Sequence, residues 1–260
     1  EKAPGVPLVV MLLGRGGSGR GAADLFGLVE VADEHGFIVA FPDGIDNQWN
    51  YVDGIAGYDI DVQDREFLRT LVAWVSGEYA VDPARVYVAG FSNGGYMAQH
   101  LACRAGDLFA AFASVGAAGY GGQPGACGEP QSVPILFVHG TADAVVPFAG
   151  LTQEGPNGPV TVLASVEQTF NYWAYRLGCS NGVDAAELAN MRSPDLEVHV
   201  LSALDCAPGA ELRQVVVVGG GHNWPGRPGR LPANIGGEVT LDLDASRYIW
   251  AFFERHTIGP

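Results

Sequence analysis

The sequence lacks the long hydrophobic segments of a membrane protein. None of its apolar runs reaches the roughly 18 to 20 residues that a transmembrane helix needs, and a run such as Pro7–Leu13 has only the length of a strand. Internal repeats and long linkers are also missing from the sequence. We therefore expect one domain over residues 1–260 and no association with a membrane.

Basic residues are scarce. The chain has 14 lysine and arginine residues against 29 aspartate and glutamate residues, which gives a formal net charge of −15. No local cluster of basic residues offsets this charge, and an acidic surface repels nucleic acids and other polyanions. We therefore expect no nucleic-acid partner and a neutral or polymeric substrate. The chain is expected to act as a monomer.

Cysteines are few, and their spacing excludes the common zinc motifs. The four cysteines form neither a CxxC pair nor a Cys/His cluster. Two disulfides are a better interpretation than four reduced, buried thiols, and three pairings are formally open. Because sequential pairing closes short local loops, we predict Cys103–Cys127 and Cys179–Cys206. Disulfides imply an oxidising compartment, so we expect a secreted protein without a metal site.

The composition and the pattern of apolar residues indicate an α/β fold. With 48% hydrophobic and 17% charged residues, the chain can bury a large core. Apolar runs alternate with amphipathic segments, which is typical of a mostly parallel sheet flanked by helices. The predicted strands are Pro7–Leu13, Phe37–Pro42, Val86–Phe91, Ala110–Val115, Pro134–His139, Leu196–Ser202 and Glu211–Val218. The predicted helices are Ala22–His35, Val62–Tyr79, Asn93–Ala105, Ser165–Leu177 and Ser246–His256. Glycine-rich loops, expected to shape a groove, are predicted at Gly44–Tyr58, Gly116–Val133, Gly150–Pro159 and Gly219–Gly237.

Residues 90–94 read GFSNG and lie where a predicted strand meets a predicted helix. A GxSxG sequence in this setting is typical of the sharp turn that lifts a serine nucleophile above a sheet. Glycine at both ends of the motif lets the strand and helix backbones approach each other closely. An ordinary glycine-rich turn is the alternative. We predict that Ser92 is a nucleophile.

A serine nucleophile needs a general base and an acid that orients the base. Four of the six histidines lie in or near predicted helices and strands, and His139 precedes the candidate acid by only four residues. His222 follows three glycines on a loop after a late strand, where sites of this type carry their base. Asp143 follows an earlier strand, and the order Ser92, Asp143, His222 matches the chain order of such sites. We predict that Asp143 is the acid and His222 the base.

A reacting carbonyl oxygen needs backbone N–H donors, which form an oxyanion hole. The residue after the nucleophile, Asn93, supplies one donor in such sites, and the loop after the first strand supplies the other. In that loop, residues 14–19 read GRGGSG, and Arg15 is the best placed donor. The loop does not fit a phosphate-binding P-loop, because no GK[ST] sequence is present. Trp49 and Trp224 are predicted to form a substrate wall, with packing anchors as the alternative.

These motifs together resemble the polyhydroxybutyrate depolymerase-like esterases, a family that includes feruloyl and acetylxylan esterases. The resemblance extends over nearly the whole chain and is most specific in GFSNGG at residues 90–95 and GGGHNWPG at residues 219–226. It implies an extracellular α/β-hydrolase without a large lid domain or a cofactor, which cleaves esters through an acyl-enzyme. Carried over residue by residue, it implies the triad Ser92, Asp143 and His222, with oxyanion amides at Arg15 and Asn93.

Two positions depart from this family. Its members usually have a histidine that braces the oxyanion loop where this chain has Leu13, and often a cysteine where this chain has Arg15. The sequence also leaves the ester open, because polyhydroxyalkanoate, feruloyl, acetyl and synthetic polyester groups all fit an open, glycine-rich groove. A peptidase, an acyltransferase and a non-catalytic binding module on the same fold are the alternatives to an esterase.

Overall fold

The chain folds around an eight-stranded sheet. The computed structural model describes residues 5–51, 62–119, 127, 132–156, 158–227 and 233–259, so parts of the predicted loops Gly44–Tyr58, Gly116–Val133 and Gly219–Gly237 lie outside the described residues. The strands are β1 (Val6–Leu12), β2 (Ile38–Ala40), β3 (Val81–Phe91), β4 (Ala111–Val115), β5 (Pro134–Gly140), β6 (Leu151–Gly155), β7 (Gly158–Leu163), β8 (Ser180–Leu188), β9 (Glu197–Leu204) and β10 (Glu211–Val218). The α-helices are α1 (Gly19–Ala22), α2 (Leu28–His35), α3 (Asp64–Glu78), α4 (Asn93–Arg104), α5 (Val166–Arg176), α6 (Ala233–Gly236) and α7 (Ala245–Phe253). In the described part of the chain, none of the helices is long and apolar enough to cross a bilayer.

The sheet has the order β2-β1-β3-β4-β5-β10-β9-β8. It is parallel from β2 to β10, and β9 and β8 add antiparallel strands at one edge. In β1, Leu8 and Val10 join a core with α3, α4 and α5, whereas Val9 and Met11 join a second core with α2 and α7. Because helices cover both faces, the parallel strands are continuous apolar runs. The predicted α/β-hydrolase fold is confirmed.

The structure corrects three local predictions. The predicted helix Ala22–His35 is two helices, because the backbone between them passes through Gly27, whose φ of 69° is left-handed. The predicted loop Gly150–Pro159 contains most of the β6–β7 hairpin. Its side chains are mostly exposed, so no buried face marked it as a strand pair. The sequence patterns also did not predict the edge strand β8, because most of its side chains are exposed.

Both predicted disulfides are present. Cys103 in α4 is bonded to Cys127, and Cys179, which follows α5, is bonded to Cys206, which follows β9. The sequence separations are 24 and 27 residues, so each bond closes a local loop. Cross-links of this kind stabilise a fold mainly by restricting the unfolded chain.

The first turn of α4 lies directly against the end of β1. A Cβ atom on Gly94 would overlap the carbonyl oxygen of Leu12 and would lie 2.7 Å from that of Leu13. A Cβ atom on Gly90 would overlap the carbonyl group of Gly94. These neighbours are main-chain atoms of a central strand and a helix, which cannot yield as a flexible side chain can. Glycine is therefore required at both positions, as the motif predicted.

We predict that Gly94→Ala lowers the free energy of unfolding by about 2 kcal/mol or more, because the new methyl group forces α4 away from β1. Urea denaturation measures the loss. Gly77→Ala is the matched control, since a Cβ atom at this position in α3 meets no atom within 4 Å. That variant should gain about 0.5–1 kcal/mol from helix propensity. Equal stability of the two variants would contradict the packing argument.

The carboxylate of Glu211, at the start of β10, holds the C-terminal end of the chain against the sheet. Its Oε1 accepts a hydrogen bond from Arg255 Nη2 over 3.0 Å, and its Oε2 lies 3.0 Å from His256 Nε2. Arg213 Nε lies 2.7 Å from Oε1. Burial raises the pKa of Glu211, but these hydrogen bonds and positive charges outweigh burial and lower the pKa to about 2.

We predict that Glu211→Gln destabilises the fold by about 1–3 kcal/mol at pH 7. Because the folded-state pKa is depressed, the stabilisation is present above the ordinary value of 4.5 and disappears as the pH falls towards 2. Urea denaturation at pH 7, 5, 4 and 3 should show that the difference in free energy of unfolding between the variant and the parent protein decreases below about pH 4.5. Glu154→Gln, on the exposed hairpin, is the control. A difference in free energy of unfolding that did not change with pH would contradict stabilisation by the ionised carboxylate of Glu211.

Candidate active site

Ser92 occupies a strained turn between β3 and α4. Its φ of 54° and ψ of −117° lie in a region that residues with a Cβ atom rarely adopt. The N–H group of Ser92 donates to the carbonyl oxygen of Val115 in β4 over 2.8 Å. Such strain persists only where the surroundings fix the backbone. Here this hydrogen bond and the close packing at Gly90 and Gly94 fix it. Ser92 therefore lies at the carboxyl end of β3 and at the N-terminus of α4.

Asp143 and His222 meet on the side of the sheet where the parallel strands have their carboxyl ends. Asp143 follows β5 and His222 follows β10, and these strands are parallel neighbours. His222 Nδ1 lies 2.7 Å from Asp143 Oδ2, and both side chains are buried. Asp143 Oδ1 accepts hydrogen bonds from the N–H groups of Val145 and Val146, over 2.8 and 2.7 Å. One carboxylate oxygen thus holds the turn and the other holds the imidazole, whose Nε2 is on the opposite side of the ring.

The imidazole of His222 packs against the residues around Ser92. Its ring centroid lies 4.9 Å from that of Phe91, which directly precedes Ser92. A Cβ atom on Gly116, which follows β4, would lie 3.2 Å from His222 Nδ1. The carboxyl ends of β3, β4, β5 and β10 therefore meet at this point. They gather the predicted nucleophile, acid and base at one edge of the sheet.

The loop after β1 also lies against Ser92. A Cβ atom on Gly14 would lie 3.3 Å from the Cβ atom of Ser92. Arg15 comes next and has an exposed side chain, whereas Asn93, on the other side of the serine in the chain, is buried. The backbone amides of Arg15 and Asn93 thus belong to residues that adjoin this contact. An oxyanion hole with two backbone donors requires such a placement.

Comparisons with known proteins find similarity to hydrolases. A model of the prolyl oligopeptidase family matches residues 28–119, which include Ser92. The chain is 32% identical over 241 residues to a protein of Nocardia uniformis subsp. tsuyamanensis described as the esterase NocK, covering 85% of this chain. It is 30% identical over 190 residues to feruloyl esterase B of Piromyces equi, covering 72% of this chain. It is 34% identical over 97 residues to poly(3-hydroxybutyrate) depolymerase of Ralstonia pickettii, covering 33% of this chain.

A solved structure supports the fold. Acetyl xylan esterase from Aspergillus awamori has a TM-score of 0.58 and 17% identity, covering 85% of each chain. At that identity the likeness concerns the fold alone. The present chain spans 66% of the length of NocK and 34% of the length of feruloyl esterase B.

The prediction that Trp49 and Trp224 form a substrate wall is wrong. Only 1% of Trp49 and 5% of Trp224 is exposed. The indole N–H of Trp49 donates to the carbonyl oxygen of Leu13 over 3.1 Å, and that of Trp224 donates to Ser246 Oγ over 3.0 Å. The ring of Trp224 also packs edge-on against Phe26, with 4.7 Å between centroids. A ring without an exposed face cannot stack on a substrate, so both tryptophans are buried parts of the fold.

His139, at the end of β5, is a buried part of the site that the sequence analysis did not select. Its Nε2 lies 2.9 Å from the carbonyl oxygen of Val146 and 3.4 Å from Asp143 Oδ2. Because a carbonyl oxygen only accepts, Nε2 carries a proton and donates it to Val146. Burial lowers the pKa of His139 and outweighs the opposite effects of Val146 and Asp143. This hydrogen bond joins residues seven positions apart, and Asp143, four positions after His139, lies within the turn that it closes. Among the described residues, no three His, Cys, Asp or Glu side chains are grouped to hold a metal ion.

We predict that His139→Leu lowers kcat/KM for p-nitrophenyl acetate about 10- to 100-fold, because the turn that aims Asp143 at His222 loses its closing hydrogen bond. His139→Gln keeps an N–H donor near the same position and should recover most of the activity. His199→Leu, at a half-buried position in β9 outside the site, is the control. Full activity of His139→Leu would show that the turn holds Asp143 without this bond.

Proposed function

We propose that the chain is a serine esterase in which Ser92 is the nucleophile, His222 the general base and Asp143 the acid that orients the base. The contact of 2.7 Å between His222 Nδ1 and Asp143 Oδ2, at the sheet edge where Ser92 lies, carries this proposal. The strained backbone of Ser92 supports it, because strain of this kind clusters at active sites. The esterase names of the relatives support the reaction class.

In the acylation half of the reaction, His222 Nε2 removes the proton of the Ser92 hydroxyl as Oγ attacks the ester carbonyl carbon. The carbonyl π electrons move onto oxygen, and the amides of Arg15 and Asn93 donate hydrogen bonds to it. Asp143 stabilises the imidazolium. When the tetrahedral intermediate collapses, the ester C–O bond breaks and His222 gives its proton to the departing alkoxide. The alcohol leaves, and the acyl group stays on Ser92.

Deacylation repeats these steps with water as the nucleophile. His222 takes a proton from water as the water oxygen attacks the acyl carbon, and the same two amides hold the second oxyanion. The bond from the acyl carbon to Oγ then breaks, and His222 returns the proton to Ser92. The products are a carboxylic acid and an alcohol, and the cycle uses no cofactor.

We propose uncharged esters of polymers, either polyhydroxyalkanoate-type polyesters or feruloyl and acetyl esters of plant polysaccharides, as the substrate class. The net charge of −15 disfavours polyanions. The names of two relatives, feruloyl esterase B and poly(3-hydroxybutyrate) depolymerase, support these esters. Two disulfides support an extracellular location. A panel of kcat/KM values over hydroxybutyrate oligomers, methyl ferulate and acetylated xylan separates the members of the class.

We predict that Ser92→Ala lowers the turnover of p-nitrophenyl acetate by at least about 10⁴-fold, because the acyl-enzyme no longer forms. A fluorophosphonate probe should label the parent protein once, at Ser92, and leave the variant unlabelled, as mass spectrometry of the intact protein measures. Ser76→Ala, on the exposed face of α3, should keep full activity and labelling. Retention of hydrolysis in Ser92→Ala would overturn the proposal.

Assays with other substrates and the same probe distinguish an esterase from its alternatives. A peptidase would cleave a p-nitroanilide about as fast as the matching ester, and an acyltransferase would make a new ester when an acceptor alcohol is added. A non-catalytic module would leave Ser92 unlabelled by the probe. An esterase cleaves the ester far faster than the anilide and releases the free acid.

A further inference from the structure

A short segment, residues 47–51, lies between the loop after β1 and the start of α4. We call it the bridging segment. On the side of the loop, the indole N–H of Trp49 donates to the carbonyl oxygen of Leu13 over 3.1 Å. Two residues before Trp49, the carbonyl oxygen of Asn47 accepts a hydrogen bond from the N–H group of Gly16 over 2.8 Å. These two bonds enclose Arg15, so the bridging segment holds the loop on both sides of the predicted oxyanion amide.

On the side of α4, the side chain of Asn93 holds the same segment. Its Oδ1 accepts a hydrogen bond from the backbone N–H of Trp49 over 2.6 Å, and its Nδ2 donates to the carbonyl oxygen of Trp49 over 3.3 Å. The amide of Asn93 therefore pairs with both main-chain groups of one residue, as a neighbouring strand would. Asn93 is 6% exposed and Trp49 is 1% exposed, so water competes little for these bonds.

The bridging segment is fixed from a third direction by α3. Asp64 Oδ2, at the start of this helix, accepts a hydrogen bond from the backbone N–H of Asn50 over 2.6 Å. The side-chain Nδ2 of Asn50 donates in turn to the carbonyl oxygen of Val62 over 3.1 Å. Asp64 is 4% exposed. The segment is thus anchored to a helix and is more than a link between two loops.

We infer that Trp49 is a positioning residue that sets the distance between the two oxyanion amides. This inference rests on the proposed esterase function. The amide of Arg15 lies on a glycine-rich loop, and the amide of Asn93 lies at the start of a helix. The bonds of Trp49 to Leu13 and Asn93 connect the two. Oxyanion donors contribute to rate only when they are held in place before charge develops, and a shift of about 1 Å costs on the order of 100-fold in rate.

The kinetic signature of this role differs from that of a packing residue. The oxyanion exists only in the transition state and the tetrahedral intermediate, so a loosened hole lowers kcat and leaves KM nearly unchanged. A packing defect instead lowers the fraction of folded, titratable sites and leaves the turnover of each folded site intact. A trifluoromethyl ketone, which forms a tetrahedral adduct with a serine nucleophile, reports on the hole directly.

The test compares Trp49→Phe with Trp250→Phe, because both variants replace a buried indole by a phenyl ring. The indole N–H of Trp250, in α7, has no hydrogen-bond partner among the described residues. Rates are measured with p-nitrophenyl acetate and divided by the concentration of sites that a fluorophosphonate titrates. For Trp49→Phe we expect kcat to fall about 10- to 100-fold, KM to stay within about twofold, and the Ki of the ketone to rise by the same factor as kcat/KM falls. For Trp250→Phe all three values should stay within about twofold.

A second variant keeps the inference testable if Trp49→Phe folds poorly. Asn93→Ala removes the side-chain bonds to Trp49 and retains its own backbone amide. We expect the same loss in kcat with little change in KM, and in the double variant a loss smaller than the product of the two, because both act through one segment. Unchanged kcat and ketone affinity per titrated site in either single variant would overturn the inference and leave the esterase proposal intact. If the parent protein itself fails to hydrolyse esters, the proposed function is overturned first.

Discussion

The close backbone contact between α4 and the end of β1 holds Ser92, the proposed nucleophile, in place. Because Gly94 has no Cβ atom, the first turn of the helix lies against the carbonyl groups of Leu12 and Leu13. The helix therefore starts immediately after Ser92, and the serine has to adopt a left-handed φ of 54° to join the strand to the helix. The loop that follows β1 leaves from the same contact, so Ser92 and the proposed oxyanion loop share one support.

The rest of the site follows from the order of the parallel strands. The residues after β3, β4, β5 and β10 leave from one edge of the sheet, because neighbouring parallel strands end at the same side. Asp143 and His222 follow adjacent strands and meet, although 79 positions separate them in the chain. Their contact is buried, so the carboxylate interacts with the imidazole and with backbone N–H groups in place of water.

Sequence patterns were sufficient where chemistry depends on residue type and local spacing. The elbow at Ser92, the strand before it and the pairing of the four cysteines were all predicted from glycine content, apolar runs and short loop closure. The predictions were wrong where burial decided the outcome. The hairpin formed by β6 and β7 has no buried face, and the loop position of Trp49 and Trp224 suggested exposed rings. His139 was not chosen as the base because it lies only four residues before the predicted acid, Asp143. No sequence pattern indicates that its side chain closes the turn that contains Asp143.

The sequence alone predicted the α/β-hydrolase fold and the candidates Ser92, Asp143 and His222, because an elbow and the chain order of three residues are local or linear properties. Only the tertiary structure decided what surrounds them. The bonds that join Leu13, Trp49 and Asn93 cross 36 and 44 positions of the chain. Contacts between segments that far apart depend on how strands and loops are placed in space, and a single sequence records no such placement.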